Sequence, residues 1–199
     1  LMKAYYAKQD AEKLSGKGDT SQKLTLMKTS ADSLKKSADA LNDSSLWEKK
    51  KIKKKDEKTG EEIEVEDYDW DKITKAVKSF VEDYNDVVKE AGESNTKDVL
   101  RNASWMTGMT DKNSNMLAQI GITIGKGNKL ELDEDALKQA DISSLKTVFT
   151  GYNSFVSKIS QKATGISNAA NRASATYTNN GTYSKTDSSL TSSKIDKEV

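Results

Sequence analysis

Apolar side chains recur with a helical period in three parts of this chain. Leu24, Met27, Ala31, Leu34, Ala38 and Leu41 follow one another at steps of 3, 4, 3, 4 and 3, the seam of a heptad-patterned helix. Thr20 or Ser21 stands before it as an N-cap, and Asn42 and Asp43 close it. Ile73, Val77, Phe80, Tyr84, Val87 and Ala91 repeat the pattern at steps of 4, 3, 4, 3 and 4, with Val81 and Val88 widening the stripe and Gly92 placed as a C-cap. After Asp141, the alternation runs through Leu145, Phe149, Tyr152, Val156, Ile159, Ala163, Ile166, Ala170 and Ala173. This predicts one long helix whose seam passes from bulky to small. Residues 95–119 form a less regular helical stretch, with Val99, Leu100, Ala103 and Met106 on its apolar face, an interruption at Gly108, and a resumption at Met116, Leu117 and Ile120.

Elsewhere the period changes to two. The run Lys49–Lys55 is basic around Ile52, Asp56–Gly60 reads as a turn, and Glu61–Glu66 is acidic around Ile63 and Val65. A lysine-rich strand facing a glutamate-rich strand is expected over 48–67, with Trp47, Tyr68 and Trp70 pinning its base. Such a ribbon is marginal alone. It joins the first two helices, which should therefore run antiparallel. Ile122–Ile124 and Leu130–Leu132 flank a glycine-rich turn and predict a second small hairpin over 121–132, after which Asp133 caps a short helix.

The expected fold class is mainly α with small β-hairpins: an elongated antiparallel helical bundle. Its helix-packing core would hold Leu24, Met27, Leu34 and Leu41 from the first ridge. The second ridge supplies Ile73, Val77, Phe80, Tyr84 and Val87. The third supplies Leu145, Phe149, Tyr152, Val156 and Ile159. The chain divides into an N-terminal segment 1–19, a core 20–176 and a polar tail 177–199 without period, expected to be disordered or partner-dependent.

Composition narrows the function. Hydrophobic residues make up 34% and charged residues 32%, and proline is absent, which suits helices that each bury a narrow stripe. With 32 basic and 31 acidic residues the net charge is +1, without the basic excess that nucleic-acid binding needs. The lack of cysteine and histidine removes thiolate sites, the commonest zinc ligand and the commonest general base at neutral pH. No apolar run is long enough to span a bilayer, and no secretory h-region follows Leu1.

Three clusters could carry chemistry, and each has a simpler reading. Gly125-Lys-Gly127 lacks the third glycine of a dinucleotide loop and reads as a turn. Asp133-Glu134-Asp135 lacks the spaced oxygens of a calcium loop and sits where a helix N-terminus favours carboxylates. Asp67, Asp69 and Asp71 read as a capping stretch rather than paired catalytic carboxylates. No catalytic, cofactor or metal residue is assigned, and no small-molecule substrate is expected. The residues placed to contact a protein partner are Lys50, Lys51, Lys53 and Lys54 with Glu61, Glu62 and Glu64 of the charged hairpin.

Two stretches resemble the C-terminal region of the flagellar filament cap protein family, hook-associated protein 2. Phe80-Val-Glu-Asp-Tyr-Asn-Asp-Val-Val88 is similar to that family's Phe-Val-x-x-Tyr-Asn signature. Leu117-Ala-Gln-Ile-Gly-Ile-Thr-Ile124 with Lys129-Leu-Glu-Leu-Asp-Glu-Asp-Ala-Leu137 is similar to its Leu-x-x-Ile-Gly-Ile hairpin and the helix after it. Val99-Leu100-Arg101 and Val148-Phe149 fall at matching places, and the likeness covers about 70–175. The resemblance implies a helical core like that of axial flagellar proteins, in which a large β-rich insertion sits between helices; here the hairpin 48–67 holds that position. It also implies an extracellular structural protein, exported by the flagellar route and assembling with itself or with flagellar axial proteins. The alternative is a free secreted or surface binding module that uses the charged hairpin.

Overall fold

The computed structural model describes residues 18–55 and 60–175. The expectations for residues 1–17, for Asp56–Thr59 of the first turn and for the tail from 176 onward lie outside the described residues. The helices are α1 Ser21–Asn42, α2 Trp70–Glu93, α3 Lys97–Lys112, α4 Ser114–Ala118, α5 Glu134–Gln139, α6 Ile142–Phe149 and α7 Phe155–Ala175. The strands are β1 Lys50–Lys55, β2 Glu62–Asp67, β3 Ile122–Ile124 and β4 Leu130–Leu132, paired as two separate antiparallel hairpins. The fold is therefore mainly helical with two small ribbons.

Four helices make the body. α1 packs along α7 and against α2, and α3 packs on α7 and α2. The polar contacts fix their directions. Lys23, near the start of α1, donates to the Glu93 carbonyl at the end of α2 over 3.2 Å. Ser167 donates to Asp32 over 2.6 Å and Ser160 donates to Asp39 over 2.7 Å. Each pair steps one heptad in opposite senses, so α1 and α7 are antiparallel with their seams in phase. Lys28 and Lys35 hold the second oxygen of each carboxylate, at 2.6 and 2.5 Å.

The core is continuous through these helices. Leu24, Met27, Leu34, Leu41, Ile73, Val77, Phe80, Tyr84, Val87, Leu145, Phe149, Val156 and Ile159 are buried in it. Trp47 lies in a short 3-10 turn, Ser44–Trp47, stacks on Phe149 with ring centroids 5.4 Å apart, and donates its indole N–H to the Leu41 carbonyl over 2.8 Å. Phe155, which lay outside the ridge read from sequence, is buried edge-on to Phe80.

Four expectations are corrected. Tyr152 is 82% exposed and not in the core. It lies in a break between α6 and α7, where Gly151 adopts φ +96° and donates its amide to Asn42 Oδ1. The 145–173 ridge is thus two helices, not one. Gly92 lies inside α2, which ends at Ser94 with the Ser94 amide bonded to the Ala91 carbonyl. Gly108 does not interrupt α3; the break falls at Asn113, whose side-chain amide donates to the Met109 carbonyl over 2.7 Å.

Candidate functional site

The charged hairpin pairs Lys50 with Asp67, Lys51 with Glu66, Ile52 with Val65, Lys53 with Glu64, Lys54 with Ile63 and Lys55 with Glu62. Because side chains alternate across a strand, one face carries three lysine–glutamate pairs, from Lys51, Lys53 and Lys55. The other carries Ile52, Val65 and Ile63 between Lys50, Lys54 and Asp67. Lys54 reaches along that face to Asp67 over 2.5 Å, and Lys53 lies 3.6 Å from Glu62. These pairs are largely exposed, so each stabilises by no more than ~0.2–1 kcal/mol. Glu61 precedes β2 and is exposed, and Gly60 closes the turn at φ +75°. The hydrogen bond from Lys54, with the Tyr68 amide next, holds the Asp67 carboxyl below its usual range.

At the base of the hairpin Tyr68 and Trp70 meet edge to face with centroids 6.3 Å apart, and Lys49 lies 5.8 Å from the centre of the Tyr68 ring. Both aromatics are half-buried. Beside them opens a cleft of about 550 Å3, lined by Ile52, Lys53, Lys54, Tyr68, Asp69, Trp70, Asp71 and Lys138. Lys138 comes from α5, so the cleft lies between ribbon and bundle.

The second constellation is the one formed by the signature residues. Phe80 and Tyr84 lie on the buried face of α2, and the Tyr84 hydroxyl donates to Thr110 Oγ1 of α3 over 2.9 Å. Burial pushes the Tyr84 phenol far above its usual range. Asn85 binds the backbone of Leu130 in both directions: its amide donates to the Leu130 carbonyl over 2.9 Å, and its Oδ1 accepts the Leu130 amide over 2.7 Å. Gly121 stands where α4 turns into β3, at φ +81°. A Cβ there would lie 2.7 Å from the Asp133 carbonyl oxygen and 2.9 Å from the Leu137 amide nitrogen. The Asp133 amide closes the unit by donating to the Gly121 carbonyl over 2.8 Å. Tyr84, Asn85 and Gly121 thus lock α2, α3 and the second hairpin together.

Sequence reasoning missed Asp19. The residue is 7% exposed, and its carboxylate accepts from the amides of Asn95 and Thr96 and the hydroxyls of Ser94 and Thr96, at 2.6–2.9 Å. Burial opposes its ionisation, but the four groups together outweigh burial and hold it below its usual range. It ties down the turn 94–96 between α2 and α3, 75 residues on from it at Ser94, and no local spacing signals such a contact.

The clusters weighed for chemistry serve structure. Asp133 caps α5 through the amides of Asp135 and Ala136, while Glu134 pairs with Lys78 at 3.2 Å. Asp69 caps α2 through the Lys72 amide, and Asp67 holds Lys54. Gly127 and Asn128 take positive φ in the tight turn between β3 and β4. Among the described residues no acidic cluster is arranged to hold a metal ion, and no helix is long and apolar enough to cross a membrane.

Taken together, the residues define an antiparallel helical scaffold braced by a signature hairpin and carrying a charged ribbon. The family model of the flagellar hook-associated protein 2 C-terminus matches residues 94–198, more than half of the chain. The chain belongs to the flagellar hook-associated protein 2 family, a structural family of the flagellum and not a family of enzymes. The match takes in α3, the Gly121 turn and the Leu130–Leu137 segment; the Phe80–Val88 stretch precedes it. No curated protein and no solved structure matches the chain.

Proposed function

We propose that this protein is a structural element of an extracellular flagellar assembly related to the filament cap, exported by the flagellar route and associating with itself or with axial flagellar proteins. The observation that carries this reading is the family match over residues 94–198, on a bundle whose seams are in heptad register across α1 and α7. The bracing by Asn85 and Gly121 supports it, because a subunit that transmits load along an axis needs helices that do not slide against each other. Light scattering of the full chain over a rising concentration series tests the assembly step. Growth of mass with concentration is expected, and a monomer at every concentration, alone and mixed with flagellar axial proteins, refutes it.

A further inference from the structure

β1 lines the cleft at the hairpin base with three consecutive residues, Ile52, Lys53 and Lys54, and no β2 residue lines it. Consecutive residues of a strand point to opposite faces. It is therefore the edge of β1, not one of its faces, that borders the cleft. The sheet there has two strands, so this edge carries backbone donors and acceptors that another strand can pair with. Tyr68, Asp69, Trp70, Asp71 and Lys138 complete the lining of the cleft.

We propose that the outer edge of β1 docks an extended segment of another protein, of alternating acidic and aliphatic residues, as a third strand. The chemistry of the partner is dictated by what β1 already binds on its inner edge. There it pairs with Glu-Ile-Glu-Val-Glu-Asp, residues 62–67, with each of Lys51, Lys53 and Lys55 facing a glutamate and Ile52 facing Val65. The same lysine row and the same Ile52 serve the outer edge. A segment of the β2 type sets its carboxylates beside Lys51, Lys53 and Lys55 on one face of the ribbon and its aliphatic side chains beside Ile52 on the other. Lysines on an edge strand ordinarily repel further strands. That device blocks a second basic strand and favours an acidic one, so it selects the partner rather than closing the edge. The inference rests on the hairpin and its cleft and does not depend on the flagellar reading.

The probe is a labelled peptide with the sequence of residues 61–67, Glu-Glu-Ile-Glu-Val-Glu-Asp, titrated with the full-length protein by fluorescence anisotropy. Saturable binding below about 1 mM is expected, weakening at least ~10-fold between ~50 and ~500 mM NaCl. A peptide with lysine in place of each acidic residue should not bind. Lys138→Glu, outside the hairpin, should weaken binding about fivefold, by like-charge repulsion at the cleft wall. Amide exchange should show new protection in β1 while β2 stays protected. Four results overturn the proposal: no binding, equal binding of the lysine peptide, unchanged affinity in Lys138→Glu, or loss of β2 protection, which would mean the peptide displaces β2 from the inner edge.

Discussion

Asn85 and Leu130 are joined by two hydrogen bonds that mimic a strand pairing, a side-chain amide standing in for the neighbouring backbone. Asn85 is on α2 and Leu130 opens β4, 45 residues on. The second hairpin has two strands of three residues, too short to hold its register alone. Asparagine suits this task because it offers a donor and an acceptor side by side in one plane. Asn85→Ala leaves both Leu130 groups without that partner and should lower stability by about 2 kcal/mol. Asn85→Asp keeps the acceptor but sets an oxygen against the Leu130 carbonyl, so it should not rescue. Urea denaturation measures both, and exchange of the Leu130 amide should accelerate in each.

Gly121 and Gly108 should respond to alanine in opposite directions. At Gly121 the backbone has φ +81° and the space for a Cβ is filled by the Asp133 carbonyl and the Leu137 amide, so Gly121→Ala should cost at least ~2 kcal/mol. Gly108 is inside α3, and nothing lies within 4 Å of the place a Cβ would take there. Gly108→Ala should therefore stabilise by ~0.5–1 kcal/mol, through the lower entropy of the unfolded chain. Thermal melts of the two variants give the contrast, and a destabilised Gly108→Ala would mean that α3 does break there.

Asp19 makes stability depend on acid. Its carboxyl is held below the usual 3.8 in the folded protein, and Asp32 and Asp39 are lowered as well. Asp32 is lowered first by Lys28 and then by Ser167. At Asp39, burial opposes the bonds from Lys35 and Ser160, which prevail. For a carboxyl whose folded value is depressed, the stabilisation is complete above the unfolded value. It is lost as pH falls through the folded one. Asp19→Asn should cost about 2–3 kcal/mol near neutrality, since hydrogen bonds to the charged group are replaced by an amide whose NH2 faces other donors. The gap between wild type and variant should be constant well above the usual carboxyl value of 3.8 and close as the pH falls through the lowered folded value, where Asp19 becomes protonated in both states of the wild type. A gap that persists in acid would show that shape, not charge, is what Asp19 contributes.

How far the sequence could be read depends on the range over which each feature acts. The ridges of α1 and α2 were legible because burial imposes the helical period residue by residue. The hairpin was legible because its charge runs change sign across one turn. Asp19 was not, because it acts on residues 94–96 through space alone. The cleft was not either, since it needs β1, the Tyr68–Trp70 link and Lys138 brought together by the fold. The break between α6 and α7 hides for a different reason. Phe149 and Val156 are seven residues apart and both buried, so a heptad step spans the interruption and the alternation runs on through a segment that is not helical. Gly151 was the one local sign of it.

The same break makes three of the aromatic positions of the ridges a test of the packing. Phe80 and Phe149 are fully buried, the first against Phe155 and the second stacked on Trp47. Phe80→Ala and Phe149→Ala should each cost ~3–5 kcal/mol, because the bundle cannot collapse fully onto a lost ring when its helices are tied by Asn85, Asp32 and Asp39. Tyr152, at the continuing heptad spacing but 82% exposed, should cost less than ~0.5 kcal/mol when changed to alanine. Were helices α6 and α7 one uninterrupted rod in solution, Tyr152 would face α1 and its loss would rank with the two phenylalanines. Equilibrium unfolding of the three variants under one set of conditions separates these arrangements, and a Tyr152→Ala cost above about 2 kcal/mol would exclude the break at Gly151.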